Sequence, residues 1–365
     1  MLNNKTVAVV IPTYNEEKQI SSVLKKIPSF VDKIVIINDC STDKTQKIVQ
    51  KIIDEHNIKV KLPKNNKKIK KNRYNLAEFV LEELKNGELK YYPKFSIYNK
   101  NHQKDRFILI NFHKNSGVGT AISKGYRYCR DQRIDCTAVM AGDGQMDPNE
   151  LEKICLPIVN EEVDYTKGNR LSHRSAYLVI PKIRFLGNSI LSLLTKIASG
   201  YWHISDTQTG FTAISLNALN AIRLHKIYPR YGCPNDILVK LNIAFCTIKE
   251  IPIKPVYNVG EESKMKIFKV IPRISLLLII SFWKRLYIKY LFRDFHPLFL
   301  LYHFAFILFI FNIPYTIEAV GSLAPGITID VKTALLFTFC AISSLQALFF
   351  AMWMDMQDNE RLQKI

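Results

Sequence analysis

The sequence predicts an α/β protein: a mainly parallel sheet covered by helices, followed by basic interfacial helices and two transmembrane helices. Three observations predict it. From residue 6 onward, short apolar runs of strand type alternate with segments of helical period. The hydrophobic share of 48% concentrates towards the C-terminus, where residues 297–317 and 333–354 are uncharged runs of 21 and 22 residues. As helices, such runs span roughly 30 Å, one hydrocarbon core. The formal net charge is +19, and basic residues crowd just ahead of the first run.

The elements follow in order. TVAVVI, from Thr6, is a buried-type strand, and Ile20, Val23, Leu24 and Ile27 then fall on one helical face. KIVIIN (33–38) is a second strand, after which Ser41 can cap a helix carrying Ile48, Val49, Ile52 and Ile53. RFILINF (106–112), a glycine-punctuated helix to about Arg130 and DCTAVM (135–140) repeat the scheme. A helix to about Val159, the strand VDYTKGNR (163–170), the helical stretch PKIRFLGNSILSLLTKIASG and a last strand TIKEIPI (247–253) complete it.

Residues 59–105 break this rhythm and read as an insertion. Its first part, KVKLPKNNKKIKKNR, holds eight basic residues and no acid, the composition of a solvated loop. NLAEFVLEELKNG predicts a short amphipathic helix ending at Gly87, and KFSIYNKNHQKDRFILI a hairpin.

Lys264, Lys266, Lys269, Arg273, Lys284, Arg285, Lys289 and Arg293 precede the first span without an acid among them before Asp294, whereas the loop at 318–332 has one Lys. This asymmetry puts both ends on the cytoplasmic side. From Ile267 to Phe292 an apolar face alternates with Lys and Arg, with Trp283 and Tyr287 at headgroup level, which predicts an interfacial helix pair against the lipid bilayer. The apolar stretch near Met1 is too short for a signal peptide. Aromatic residues do not interleave with the Lys run, which argues against nucleic acid. Seven cysteines, never in C-x-x-C, read as reduced thiols and not as disulfides or a zinc site.

In a parallel α/β sheet, ligands sit where strands end. Pro12 to Glu17 follow the first strand, Asn38 to Asp43 the second, Asn115 to Gly119 the third, and Asp143 with Gln145 the fourth. Glu16, Glu17 and Asp43 could equally serve helix N-termini. Gly117 and Gly119 suggest a dinucleotide loop, but Ile122 stands where a third small residue belongs, and no P-loop motif exists. Asp143 and Gln145 are oxygen donors that one tight turn could aim at one hard cation, leaving its other positions to water and phosphate. A surface Asx-turn at Asp143-Gly144 is the alternative. Asp147-Pro148 reads as the start of the next helix.

PTYNEE (12–17), NDCSTD (38–43), NSGVGTA (115–121), GDGQMDP (142–148), GNR (168–170), DTQTGF (206–211), EIPI and SK (263–264) occur in that order. Together they resemble family 2 glycosyltransferases of the Rossmann-like GT-A fold, in particular the dolichyl-phosphate-mannose-synthase-like, polyprenyl-phosphate branch, over nearly all of residues 6–293. The resemblance implies a cytoplasmic catalytic domain at 1–262, interfacial helices at 263–293, two spans within 294–358 and a short cytoplasmic tail at 359–365. It implies that Pro12, Tyr14, Glu16 and Asp39 hold the nucleoside beside Gly117, and that Asp143 and Gln145 hold a divalent metal, Mg2+ or Mn2+. Arg170 and Lys264 would meet the phosphates, Asp206, Gln208 and Gly210 would line the acceptor and sugar region, and Asp236 would be the acid able to deprotonate a hydroxyl.

Three departures from the family pattern stand out. Asn38 replaces a first Asp, Ala141 replaces the first acid of D-x-D, and Tyr257-Asn258 stand where an Arg is common. The activity implied is inverting transfer of a hexose from a nucleotide-sugar donor, of GDP-mannose or UDP-glucose type, to a polyprenyl-phosphate acceptor. Two alternatives stand beside it: transfer to a hydroxyl of a lipid-linked sugar with Asp236 as base, and a non-catalytic membrane scaffold. Self-association into a homo-oligomer is compatible with each.

Overall fold

The computed structural model describes residues 1–60, 62, 71–176, 182–256, 267–323 and 328–364, with the side chains of 182–186, 188 and 267–270 outside that description. Among the described residues nine strands form one sheet in the order β3-β4-β2-β1-β5-β7-β6-β8-β9. They are β1 (Val7–Thr13), β2 (Lys33–Asn38), β3 (Phe95–Ile97), β4 (Phe107–Phe112), β5 (Cys136–Val139), β6 (Tyr165–Asn169), β7 (Thr212–Ser215), β8 (Ile248–Pro252) and β9 (Gln363–Lys364). β3 runs antiparallel to β4, and β7 antiparallel to both β5 and β6. The remaining pairs are parallel.

Every residue of β2 and β4 is buried, which is why these strands read as unbroken apolar runs rather than alternating ones. Val7, Val9 and Ile11 of β1 pack on one face of the sheet, Ala8 and Val10 on the other. The first face is covered by α1 (Ile20–Lys25), α2 (Thr45–His56) and α5 (Leu151–Val159), the second by α4 (Val118–Asp131), α7 (Leu216–Ala221) and α8 (Cys233–Ile243). The chain lays down β2 and β4 on one side of β1, then returns to β5 on the other. That reversal opens a crevice at the carboxyl ends of β1 and β5, where ligands of such sheets bind.

Residues 59–105 contain α3 (Leu76–Gly87) and β3, and β3 pairs with β4 in the hairpin that the sequence predicts. The apolar residues Leu76, Val80 and Leu84 of α3 remain exposed. α2 begins later than expected: Ser41 does not cap it, since the Thr45 N–H is taken by Asp43. TIKEIPI is not the last strand, because the C-terminal tail adds β9 to the free edge of β8.

A third core joins α6 (Lys182–Ser199), α8, α9 (Ile267–Tyr287), α10 (Leu298–Phe311) and α12 (Val331–Glu360). The expected interfacial pair is one helix, α9, continued by a π-helical turn at Ile288–Arg293. Arg285 and Lys289 do not face headgroups, since both are buried. Among the described residues α12 alone is long and apolar enough to cross a membrane. The run at 297–317 is instead split into α10 and α11 (Ile313–Gly321), bent by 43°, and the two pass the same test only as a pair. Pro314, in the first turn of α11, accounts for the break, because it brings no N–H to the helical ladder.

Candidate active site

The loops after β1 and β2 are stitched together by side chains. Asn15 accepts the Thr42 N–H at 2.8 Å, and the N–H groups of Asn15 and Glu16 go to Ser41 Oγ at 3.1 Å and Thr45 Oγ1 at 2.8 Å. Asp43 takes the Glu17 N–H and Glu17 takes the Lys44 N–H. Glu17 and Asp43 thus serve the loops and the start of α2. Burial would raise the Asp43 carboxyl, but the groups of Thr45 and the Glu17 N–H hold it below the usual range. Asn15 (φ 55) and Cys40 (φ 60) are left-handed, a conformation rare outside glycine and frequent where a site constrains the chain. Tyr14 and Glu16 sit on this stitched platform, and Pro12 lies beside Ile37 in the β1–β2 register.

Asp39 joins this platform to the loop after β4. Its carboxylate accepts the Ser116 N–H at 2.7 Å and the Gly117 N–H at 2.8 Å. Burial pushes the Asp39 carboxyl up, against the pull of those two N–H groups and of the Arg230 charge. Gly117 (φ 91) is required twice over, since a Cβ there would also lie 2.4 Å from the Pro229 carbonyl oxygen. A Cβ on Gly119 would lie 1.9 Å from the Tyr228 oxygen, and the Gly119 N–H donates to Pro229 O at 2.8 Å. These two glycines therefore admit the chain segment ahead of α8.

The turn after β5 packs on the same platform, with Gly142 against Thr13. Asp143 Oδ1 accepts the Gln145 N–H at 3.0 Å across Gly144 (φ 79), so the Asx-turn forms. The turn keeps Asp143 and Gln145 together in one short loop. One carboxylate and one amide oxygen suit a hard cation that takes its other ligands from phosphate and water. Among the described residues no three His, Cys, Asp or Glu side chains cluster as a metal site. Asp147 accepts the Asn149 N–H at 3.0 Å with Pro148 following, the helix start read from sequence.

On the far side, Asp206 is fully buried and binds Arg170 in a fork, Nε to Oδ2 at 2.8 Å and Nη2 to Oδ1 at 3.0 Å. Burial alone would raise the Asp206 carboxyl, but Arg170 and Lys167 hold it below the usual range. Lys167, also fully buried, donates to Thr209 O, and burial lowers its amine to about 8. Glu250 accepts the N–H groups of Ser205 and Asp206 at 2.8 and 3.0 Å, and its carboxyl is pushed up by burial. Gln208 donates to Asn235 at 3.1 Å, and Gly210 lies against Met146 of the Asp143 turn. Asp236 accepts the Tyr228 N–H at 2.7 Å and the Lys240 ammonium.

The predicted residues after β1, β2, β4 and β5 are therefore brought together, with the 205–210 turn beside them. Arg170 is held by Asp206, Asp236 holds the 228–230 segment, and Lys264 lies outside the described residues. Lys167, Asn235 and Glu250 were not singled out from sequence. Lys167 precedes GNR, Glu250 opens EIPI and Asn235 precedes Asp236, and that proximity is the signal the sequence offers.

The glycosyl transferase family 2 profile matches residues 8–83 and 94–223, more than half of the chain. The chain is 26% identical over 256 residues to the UDP-N-acetylglucosamine–dolichyl-phosphate N-acetylglucosaminyltransferase of Methanococcus voltae, covering 70% of this chain and 87% of that one. It is 25% identical over 295 residues to a dolichyl-phosphate beta-glucosyltransferase of Trichomonas vaginalis, covering 76% and 73%. Among solved structures, the glucosyl-3-phosphoglycerate synthase of Mycobacterium tuberculosis with uridine diphosphate aligns at a TM-score of 0.47 and 15% identity, covering 77% of this chain and 80% of that one.

Proposed function

The chain belongs to glycosyl transferase family 2, and from that premise we propose that it moves a sugar from a nucleotide-sugar donor to polyprenyl phosphate at a membrane surface, with inversion. The observation that carries the choice of acceptor is the state of Asp236. One of its oxygens, Oδ2, takes both the Tyr228 N–H and the Lys240 ammonium, so this side chain is anchored to a loop and ion-paired within the protein. A phosphate acceptor is already an anion and needs no such base.

In this reading a phosphate oxygen of the acceptor forms the new bond to the anomeric carbon as the bond to the donor diphosphate breaks, and the nucleoside diphosphate departs. Asp143 and Gln145 would hold a divalent cation, which supplies positive charge to the leaving diphosphate. Tyr14, Glu16 and Asp39, with the Gly117 loop, would seat the nucleoside, while Gln208 and Gly210 border the sugar. Lys264 would face the phosphates, and the part of Arg170 left to solvent beside Asp206 could share that role. The relative from Methanococcus voltae makes UDP-N-acetylglucosamine the first donor to try, ahead of UDP-glucose and GDP-mannose.

Membrane association fits the exposed apolar residues Ile190 and Leu193 of α6 and Leu276, Ile279 and Ile280 of α9, which adjoin the apolar helices. We further infer a two-pass anchor. β9 follows α12 and belongs to the catalytic sheet, so the chain must return to the side it left. If α12 crosses once, the bent pair α10–α11 is the other crossing. The basic residues ahead of α10 favour the cytoplasmic face.

The test is a donor screen with the full chain and a short polyprenyl phosphate, with Mg2+, Mn2+ or excess chelator, reading product by mass. Product that needs the cation and disappears in Asp143→Ala is expected. Product formed only on a lipid-linked sugar hydroxyl, and lost in Asp236→Asn, would replace this reading with the hydroxyl one. No turnover of any donor would leave a membrane scaffold.

A further inference from the structure

The charged end of α12 is built into the catalytic domain. Arg285 is fully buried and makes five hydrogen bonds: two to the Asp355 carboxylate at 2.7 and 2.8 Å, one to the Tyr290 hydroxyl, and one each to the carbonyls of Ile197 and Ala198 at 3.0 Å. Those carbonyls belong to the last turn of α6, where helical acceptors lack partners, so one guanidinium both caps α6 and binds α12. Gly200 permits this, since a Cβ there would sit 2.6 Å from Arg285 Nη1. One turn further along α12, Asn359 accepts from Asn242 of α8 at 2.7 Å and from Lys289 at 2.6 Å. A single buried polar knot thus ties α6, α8 and α9 to the end of the membrane helix.

Two of these helices, α6 and α8, also grip the 205–210 turn. Ser192 of α6 meets the Thr207 hydroxyl at 3.1 Å, and Asn235 of α8 accepts from Gln208 at 3.1 Å. Gln208 and Thr207 are themselves bonded at 2.7 Å. Ser192 lies roughly 8 Å along its helix from Ile197, and Asn235 roughly 11 Å from Asn242, short enough for each helix to act as a stiff rod.

We propose that Arg285, Asp355 and Asn359 are positioning residues for the acceptor side of the site, holding the 205–210 turn in register with the membrane helix. The assignment of that turn to the acceptor rests on the function proposed above. The donor side is one step further removed among the described residues: 38–45 makes no bond to α6 or α8, and the loop after β4 reaches α8 only by way of the 228–229 backbone, whereas the 205–210 turn is bonded to both helices directly. Loosening the knot therefore affects the two halves of the site differently.

The experiment uses the full chain reconstituted in phospholipid vesicles, with Asp355→Asn and the milder Asn359→Ala. In both variants amide hydrogen exchange over 205–210 should quicken about tenfold while 38–45 and 115–121 stay within about twofold. Donor dissociation constants should hold within about twofold, and the KM for polyprenyl phosphate should rise about tenfold. Unchanged exchange over 205–210 in both variants, or a rise of equal size in all these loops, overturns the proposal. If the wild type transfers nothing to polyprenyl phosphate, the acceptor assignment falls, and the exchange pattern still decides whether the knot holds the turn.

Discussion

Asp39 takes the N–H of Gly117 at 2.8 Å and that of Ser116 at 2.7 Å, so one carboxylate from the end of β2 fixes the backbone of the loop after β4. Asp39→Asn keeps the size but offers one acceptor oxygen and turns an NH2 towards the second N–H. Loss of a hydrogen bond to a charged group costs about 1.5–3 kcal/mol, so nucleoside diphosphate should bind roughly 10- to 100-fold more weakly. Because burial raises the Asp39 carboxyl, wild-type binding should weaken on acidification while still above the ordinary carboxylate value of 3.8, and the variant should lack that limb. Calorimetric titration from pH 7 to pH 4 reads both, and wild-type affinity in the variant would remove Asp39 from the site.

Gly119 and Gly87 make a matched pair for thermal melts. A methyl on Gly119 meets the Tyr228 oxygen at 1.9 Å, whereas one on Gly87 meets nothing within 4 Å. Gly119→Ala should cost about 1–3 kcal/mol or more through forced backbone displacement. Gly87→Ala should be neutral or stabilise by up to about 1 kcal/mol, by restricting the unfolded chain. Equal melting temperatures for the two variants would contradict the packing described for the 228–229 segment.

Asp206→Asn removes the carboxylate that Arg170 grips and that Lys167 adjoins, leaving buried positive charge without its counterion. Breaking such a pair from one side costs about 3–5 kcal/mol. The variant should melt well below the wild type, and Asp206→Glu should not restore it, because the longer side chain cannot keep the fork to Arg170 and the turn N–H bonds together. A melting shift under 2 °C in Asp206→Asn would show the pair to be dispensable.

Lys167 gives a pH test with a definite sign. Burial lowers its amine from 10.5 to about 8, so between those values the unfolded chain binds more protons than the folded one. Stability from this group therefore rises with pH, the penalty being complete below about 8 and gone above 10.5. Buried thiols such as Cys129 and Cys233, pushed up to about 12, act oppositely, so the wild type alone mixes both effects. The difference from Lys167→Met isolates the amine. That variant should compare best with the wild type near pH 7 and progressively worse towards pH 10, and a gap independent of pH would mean that Lys167 is solvated.

The strands that could be read from sequence are those whose own residues carry the signal. KIVIIN becomes β2 residue for residue because a strand covered on both faces needs no polar alternation. β9 could not be read, since Gln363 and Lys364 extend only because β8 offers them an open edge. The site divides in the same way. The loops after the strands were visible as motifs, whereas Gln208–Asn235 and Arg285–Asp355 pair across 27 and 70 residues, and no local period records that. Arg285 reads as a lipid-facing residue because its neighbours are apolar and its counterion, Asp355, lies 70 residues further along the chain.

β9 also makes the direction of the chain through the membrane testable. Its pairing of Gln363 with Ile248 and Lys364 with Lys249 puts the C-terminus on the side of the catalytic sheet. If α12 crosses once, as proposed, Leu323 between the apolar helices falls on the opposite side. In sealed vesicles a membrane-impermeant maleimide should modify Lys364→Cys together with Lys25→Cys, an exposed position at the end of α1. Leu323→Cys should react only after the vesicles are opened or when the reagent is trapped inside. The native thiols are buried apart from the half-buried Cys40, so a Cys40→Ser background keeps the signal on the introduced residues. Should Leu323→Cys and Lys364→Cys react from the same side, α12 does not cross, and the helices lie along the surface while β9 stays paired. Should Lys364→Cys react opposite to Lys25→Cys, β9 cannot be part of this sheet in the membrane.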